Sequence, residues 1–221
     1  MILIPHIANA NNKLDKHISK IENAIRRTEE IVVPKLGIEQ QVDIVFDTMT
    51  DIVIPEDGVG GYTHAPDYVR MSIDTSIDVV REDVIFDILT HELTHVARWQ
   101  RGHEHNYVLF DLMINEGLAI RVEQEIMKES GVDNPQFFLK VVSARSDEEN
   151  EKIMEILKDQ LNSKDYDYHM IFRKGNNELP RWAGYSLGFY LVKKYQKLTG
   201  KPIFEIINDS YSEFRKVLKQ N

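Results

Sequence analysis

Two histidines four residues apart, the first followed directly by a glutamate, stand in His91-Glu92-Leu93-Thr94-His95. Four residues advance an α-helix by slightly more than one turn, so both imidazoles project from one face and can grip a single ion. Glu92 stands about 100° further round the helix, beside such an ion, where a base is needed to take a proton from a water held there. The pattern has meaning only on a helix. Residues 83–101 are expected to be one, with Ile85, Ile88, Leu89, Leu93 and Val96 apolar and Gly102 as its stop. Two histidines on a helix can also be plain core or surface residues. The apolar flanks put both at or near a core, however, where unliganded imidazoles one turn apart would repel once protonated.

A third ligand raises the case. Glu116, in Asn115-Glu116-Gly117-Leu118-Ala119, falls on a second expected helix over residues 107–129, with twenty residues between it and His95. That spacing allows a turn over residues 102–106 and an antiparallel return that brings Glu116 beside the histidines. Its neighbours Leu112, Met113, Ile114, Leu118 and Ile120 argue against an ordinary solvated carboxylate, since an unpaired buried carboxylate is costly. Two imidazoles and one carboxylate leave a tetrahedral position open for water, as in a catalytic rather than a structural zinc site. Gly117 and Ala119 are small and are expected to let this helix approach the first closely.

The rest of the chain must position these groups. Its 221 residues suffice to bury a sizeable core. With 42% apolar and 29% charged residues, the composition is that of a globular rather than a disordered protein. A net charge of -9 and the lack of a Lys/Arg cluster argue against nucleic-acid binding. There is no cysteine, so a bound transition metal must use His, Asp or Glu. The first residues lack a basic segment, and their apolar run is broken at Pro5 and His6, unlike a signal peptide. No stretch approaches the ~20 apolar residues of a membrane span. The expectation is a cytoplasmic protein with no membrane partner.

Apolar residues Leu14, Ile18, Ile21 and Ile25 predict a helix over residues 12–33, ended by Pro34 and Gly37. Alternation at Val42, Ile44 and Phe46 predicts a strand; residues 51–55 suggest another, and residues 68–74 alternate again. A glycine-rich turn covers residues 57–61. Beyond residue 76 the pattern turns helical, with further helices over 146–162 and 181–198 and two short ones at the end, the first opened by Pro202. The fold class is therefore α+β: residues 1–75 carry a helix and a small sheet, and residues 76–221 form a mostly helical metal-binding region. No flexible linker separates the two.

His91-Glu92-x-x-His95 followed by Asn115-Glu116-Gly117-x-Ala119 resembles the gluzincin metallopeptidases. More narrowly, the chain resembles a bacterial family of predicted zinc-dependent proteases, a domain of unknown function. The likeness includes the Gly60-Gly61-Tyr62 turn, the strand ending Ile73-Asp74, residues 91–98, the Glu116 motif and Gly184-Tyr185-Ser186-Leu187-Gly188, and so spans most of the chain. It implies one Zn2+ per chain on His91, His95 and Glu116, with Glu92 as general base. It also implies a sheet-edge strand that pairs with a substrate peptide. Residues 58–63 fit the end of such a strand, with Gly60, Gly61 and Tyr62 against the substrate, because glycines let another backbone approach closely. An ordinary tight turn fits them as well.

Gluzincins further supply a Tyr or His that hydrogen-bonds the oxyanion. Tyr185 is the candidate, with Arg181 one turn earlier as a substitute and a packed core aromatic as the other reading of Tyr185. The chain departs from the pattern at Ile120, where many gluzincins carry an acidic residue that orients a zinc histidine. Asp87 or Asn115 are the replacements considered. His64, His103 and His105 are additional histidines, the last two in a turn beyond the helix. The function expected is hydrolysis of peptide bonds in a peptide or protein substrate. The alternatives are a zinc hydrolase of another amide or ester, and a non-catalytic metal-binding regulatory protein. Oligomeric state is not readable from these residues.

Overall fold

The computed structural model describes residues 1–77, 79–103 and 108–219. The fold is α+β with a small N-terminal sheet, and the chain divides into two compact units. The first comprises Met1–Gly102 and Val122–Phe138, the second His103–Arg121 and Leu139–Asn221. No helix among the described residues is long and apolar enough to cross a membrane.

The first unit holds four strands, β1 (Leu3–Ile7), β2 (Val42–Asp47), β3 (Val59–Ala65) and β4 (Tyr68–Ile73), in the order β1-β2-β4-β3. The first three in that order run parallel, and β3 is antiparallel to β4 in a register that pairs Gly61 with Met71 and Thr63 with Val69. One sheet face, Val42, Ile44, Phe46, Val69, Met71 and Ile73, is fully buried. The alternation read at residues 42–46 and 68–74 is that face. Strand β1 has no counterpart in the sequence reading. Pro5 and His6 disguise it, and proline is admitted because β1 is a sheet edge. The strand expected over residues 51–55 does not form. Ile54 makes only an isolated bridge to Val59, and its carbonyl instead accepts the Asp57 and Gly58 N–H groups of a turn.

Helix α1 (Ile18–Leu36) begins later than its apolar period suggests, after a 3-10 turn at Asp15–His17. Pro34 does not end it; the stop is Gly37, at φ 60°. Arg27 of α1 reaches Asp83 at 2.6 Å and lies 4.1 Å from the Phe86 ring centre, which ties α1 to α2 (Glu82–Gln100). Every residue of α2 from Val84 to Arg98 is buried, so the helix that carries both motif histidines is a core element. The second half of α3 (Leu109–Glu129) completes this unit.

The second unit contains the first half of α3, most of α4 (Phe137–Ala144), α5 (Asp147–Leu157), a π-helical turn at His169–Lys174, α6 (Ala183–Thr199) and the short α7 (Ile203–Ile206) and α8 (Tyr211–Phe214). A capping box between Ser146 and Glu149 starts α5. The Ser186 hydroxyl of α6 donates to Val142 O of α4 at 2.9 Å. Gly117 does not serve the approach to α2 expected of it. A methyl on Gly117 would stand 2.2 Å from the Gly188 backbone, and one on Gly188 1.9 Å from Met113 O. The two glycines are where α3 and α6 cross, backbone against backbone.

His17 is a buried imidazole, 1% exposed, and neither ring nitrogen has a hydrogen-bond partner among the described residues. Burial lowers its pKa below 6.5, and the neighbouring charges of Lys16 and Lys20 lower it further. The folded state therefore resists a proton that the unfolded chain accepts. The resulting stability is complete above pH 6.5 and declines as the pH falls below it. Between pH 7 and 5 the loss from one imidazole is at most about 2 kcal/mol. Denaturant unfolding of wild type and His17→Leu at both pH values should show a smaller decline in the variant; equal declines would show that His17 carries none of the dependence.

Candidate metal centre and active site

Side chains of His91 and His95 lie side by side on α2, their ring centres 4.8 Å apart and their planes at 76°. One ligand atom from each of His91, His95 and Glu116 can be chosen so that all three lie within 4.8 Å of one another. That donor set suits zinc, with two imidazole nitrogens, one carboxylate and a coordination position left for water. Both histidines are buried and Glu116 is half-buried. Three groups of this kind, converging without a hydrophobic reason to do so, are poor packing and good ligation.

His91 is held from behind. Its Nδ1 lies 2.8 Å from Glu123 Oε2, a pairing that leaves Nε2 to face the ligand cluster. Glu123 is fully buried and receives a second hydrogen bond from the Gln136 amide at 2.5 Å. Gln136 is anchored in turn, its backbone N–H donating to Asp87 Oδ2 at 3.0 Å. Burial, and then the Glu123 charge, raise Asp87 well above the usual carboxylate range. Asp57 holds the start of α4, where both its oxygens accept the Phe137 N–H, at 2.8 and 2.9 Å. The Phe138 ring then packs 6.3 Å from His91.

The carboxylate that meets a motif histidine is thus Glu123, neither of the residues considered for that task. Asp87 acts one step further out. The Asn115 side chain accepts from the Tyr211 hydroxyl at 3.3 Å. Glu123 stands seven residues beyond Glu116, two helical turns on and on the same face. That period was available in the sequence, but a glutamate beside Gln124 and Glu125 reads as one more solvated charge.

Glu92 leans the other way, toward β3. The Thr63 hydroxyl lies 2.7 Å from Glu92 Oε2 and 3.0 Å from Glu92 O, and a Cβ on Gly61 would meet Glu92 Cγ at 2.6 Å. Gly60 is covered by the backbone of Ile52 and Val53. Tyr62 and His64 point from the opposite face of the strand, with ring centres 4.6 Å apart, and His64 stacks on Tyr68 at 5.2 Å. After Gly60, no other named strand pairs with β3 on the side away from β4 among the described residues.

A motif on a buried helix, completed by a third ligand and backed by a buried carboxylate, points to one class of protein, and a family model matches residues 11–216. The chain belongs to the family described as Predicted Zn-dependent protease (DUF2268). No curated protein and no solved structure matches it. Membership of the DUF2268 family covers both compact units and every candidate residue above.

In the second unit Tyr185 lies within electrostatic reach of Glu116. Burial, then the Glu116 charge, raise its pKa well above 10, so the phenol keeps its proton at neutral pH and remains a donor. Tyr168 and Arg173 share this neighbourhood, Tyr168 hydrogen-bonding both Tyr185 and Arg173. Phe172 fills the space beneath, edge-on to Tyr185 at 5.3 Å and stacked on Tyr168 at 5.1 Å. The sequence reading missed Tyr168 and Arg173, because a π-helical turn has no simple apolar period. The Arg181 guanidinium lies 3.7 Å over the Trp182 ring. His103 offers its carbonyl to the Tyr211 hydroxyl at 3.1 Å, while His105 lies outside the described residues.

If Glu123 orients His91, Glu123→Gln weakens that support without emptying the ligand set. Competition with a zinc chelator should show affinity reduced about 10- to 100-fold, with unchanged secondary structure by circular dichroism. Unchanged affinity would mean that the His91–Glu123 contact has no part in metal binding.

Proposed function

We propose that this protein is a gluzincin-type zinc peptidase, with one zinc per chain on His91, His95 and Glu116 and with Glu92 as general base. The observation that carries the reading is the division of labour on α2. Two histidines converge with Glu116, while Glu92, between them in sequence, turns to the edge strand β3. When bound, the zinc would polarise both a water molecule and the scissile carbonyl.

The chain's own groups account for the remainder. An extended peptide can add to the open edge of β3, main chain to main chain, which sets the scissile bond close to Glu92. Glu92 accepts a proton from the attacking water and delivers it to the departing amine, so the proton count closes within one cycle. Tyr185, protonated at neutral pH, donates to the carbonyl oxygen as it gains charge. Gly61 and Tyr62 stand where a bound peptide would run, and Gly60 lies under the Ile52–Val53 backbone, which only a residue without a side chain allows. A cytoplasmic location belongs to the same reading and suits a chain without cysteine.

Ligands and base separate by mutation. His91→Ala and His95→Ala should lose tightly bound zinc by elemental analysis. Glu92→Gln should keep it while kcat on a peptide substrate falls by roughly 10²–10⁴. Equal metal loss in all three variants would contradict the assignment of Glu92 as base.

Tyr185→Phe removes one hydroxyl and keeps the ring. A loss of ~10²–10³ in kcat with little change in KM or zinc content is expected, because the hydrogen bond strengthens in the transition state. A kcat within a few-fold of wild type would remove Tyr185 from the mechanism.

A further inference from the structure

We infer that Thr63 is the positioning residue for Glu92; the inference rests on the peptidase reading above. Thr63 belongs to β3, and with Gly61 it points from the strand toward α2, whereas Tyr62 and His64 point away. A threonine hydroxyl has one proton to give. It lies closer to the carboxylate, 2.7 Å from Oε2, than to the Glu92 carbonyl at 3.0 Å. Thr63 is 6% exposed and Glu92 also 6%, so water does not compete freely for this contact. The bond engages Oε2 and leaves Oε1 beside Gly61.

Gly61 completes the arrangement. A methyl there would stand 2.9 Å from Oε1, 2.6 Å from Cγ and 2.8 Å from Ile88 Cγ2, so any side chain at this position would drive the carboxylate from its seat. One strand thus places a donor on one carboxylate oxygen and clears space beside the other. It is also the strand whose free edge would carry the peptide. Substrate seating and base orientation then depend on one rigid element, paired along its length with β4. A peptide bound to β3 is in register with the base.

The test uses the full chain loaded with zinc. Wild type, Thr63→Val, Thr63→Ser and Gly61→Ala are assayed on a mixture of quenched fluorescent peptides of random sequence, and the crystal structure of Thr63→Val is determined. Valine keeps the shape of threonine and removes the donor. The expected result is a kcat lower by about 10- to 100-fold, with KM, zinc content and melting temperature close to wild type, and with Glu92 turned away from β3 in the crystal. Serine should recover most of the lost turnover, and Gly61→Ala should reproduce the loss. In a Glu92→Gln background Thr63→Val should cost nothing further, because the hydroxyl acts only through that carboxylate.

A kcat for Thr63→Val within twofold of wild type, an unmoved Glu92 in its crystal structure, or an undiminished effect in the Glu92→Gln background would each overturn the inference. Full activity in Glu92→Gln, or no peptide cleaved by wild type, would instead refute the peptidase reading. The crystal structure of Thr63→Val would then decide the positioning role alone.

Discussion

The contact between His91 Nδ1 and Glu123 Oε2, 2.8 Å long and buried, is the constraint from which much of the first unit follows. A carboxylate with no solvent exposure is tolerated only when its oxygens are satisfied. One oxygen of Glu123 meets the histidine and the other the Gln136 amide. Gln136 must then be fixed, and its backbone is tied to Asp87 on the same helix as the histidines. Asp57 completes the chain of anchors by capping the adjoining start of α4. Groups far apart in sequence, residues 57, 87, 123 and 136, are thereby committed to a single imidazole.

The other side of α2 obeys a different rule. On the proposed mechanism the Glu92 carboxylate must stay available for proton transfer, so it cannot be saturated with donors. From β3 the Thr63 hydroxyl and Gly61 face Glu92. Glu92 is the neighbour of His91 in sequence and Glu123 its partner in space, yet their surroundings differ. The difference lies in what each faces: a closed network of polar anchors or the edge of a sheet.

Much of this was legible in the sequence, for reasons tied to particular residues. His91, His95 and Glu116, which the structure brings together, stand out because a metal site would demand rare residue types at helical spacing on a helix as apolar as α2. Helices α1, α2, α3 and α6 carry strong periods, and the Val42 and Tyr68 strands alternate cleanly. What escaped depends on partners remote in sequence. Glu123 looks like a surface charge until His91 meets it. Thr63 is one hydroxyl in a strand. Gly117 was read as a seat for α2, yet its partner Gly188 lies seventy-one residues away in α6. Strand β1 was hidden by Pro5, which an edge position tolerates, and by His6. Helix α4, Phe137–Ala144, is too short and too apolar for a period to separate it from a buried strand.

The central claim is that His91, His95 and Glu116 hold one zinc while Glu92 stays off it. Anomalous scattering on either side of the zinc edge, measured from crystals grown with zinc, tests that ligand set in one experiment. The account predicts a single peak per chain bonded to one nitrogen each of His91 and His95 and an oxygen of Glu116, all at about 2.0–2.2 Å, with Glu92 beside β3. A peak ligated by Glu92 in place of Glu116, a peak elsewhere in the molecule, or no peak at all would contradict it.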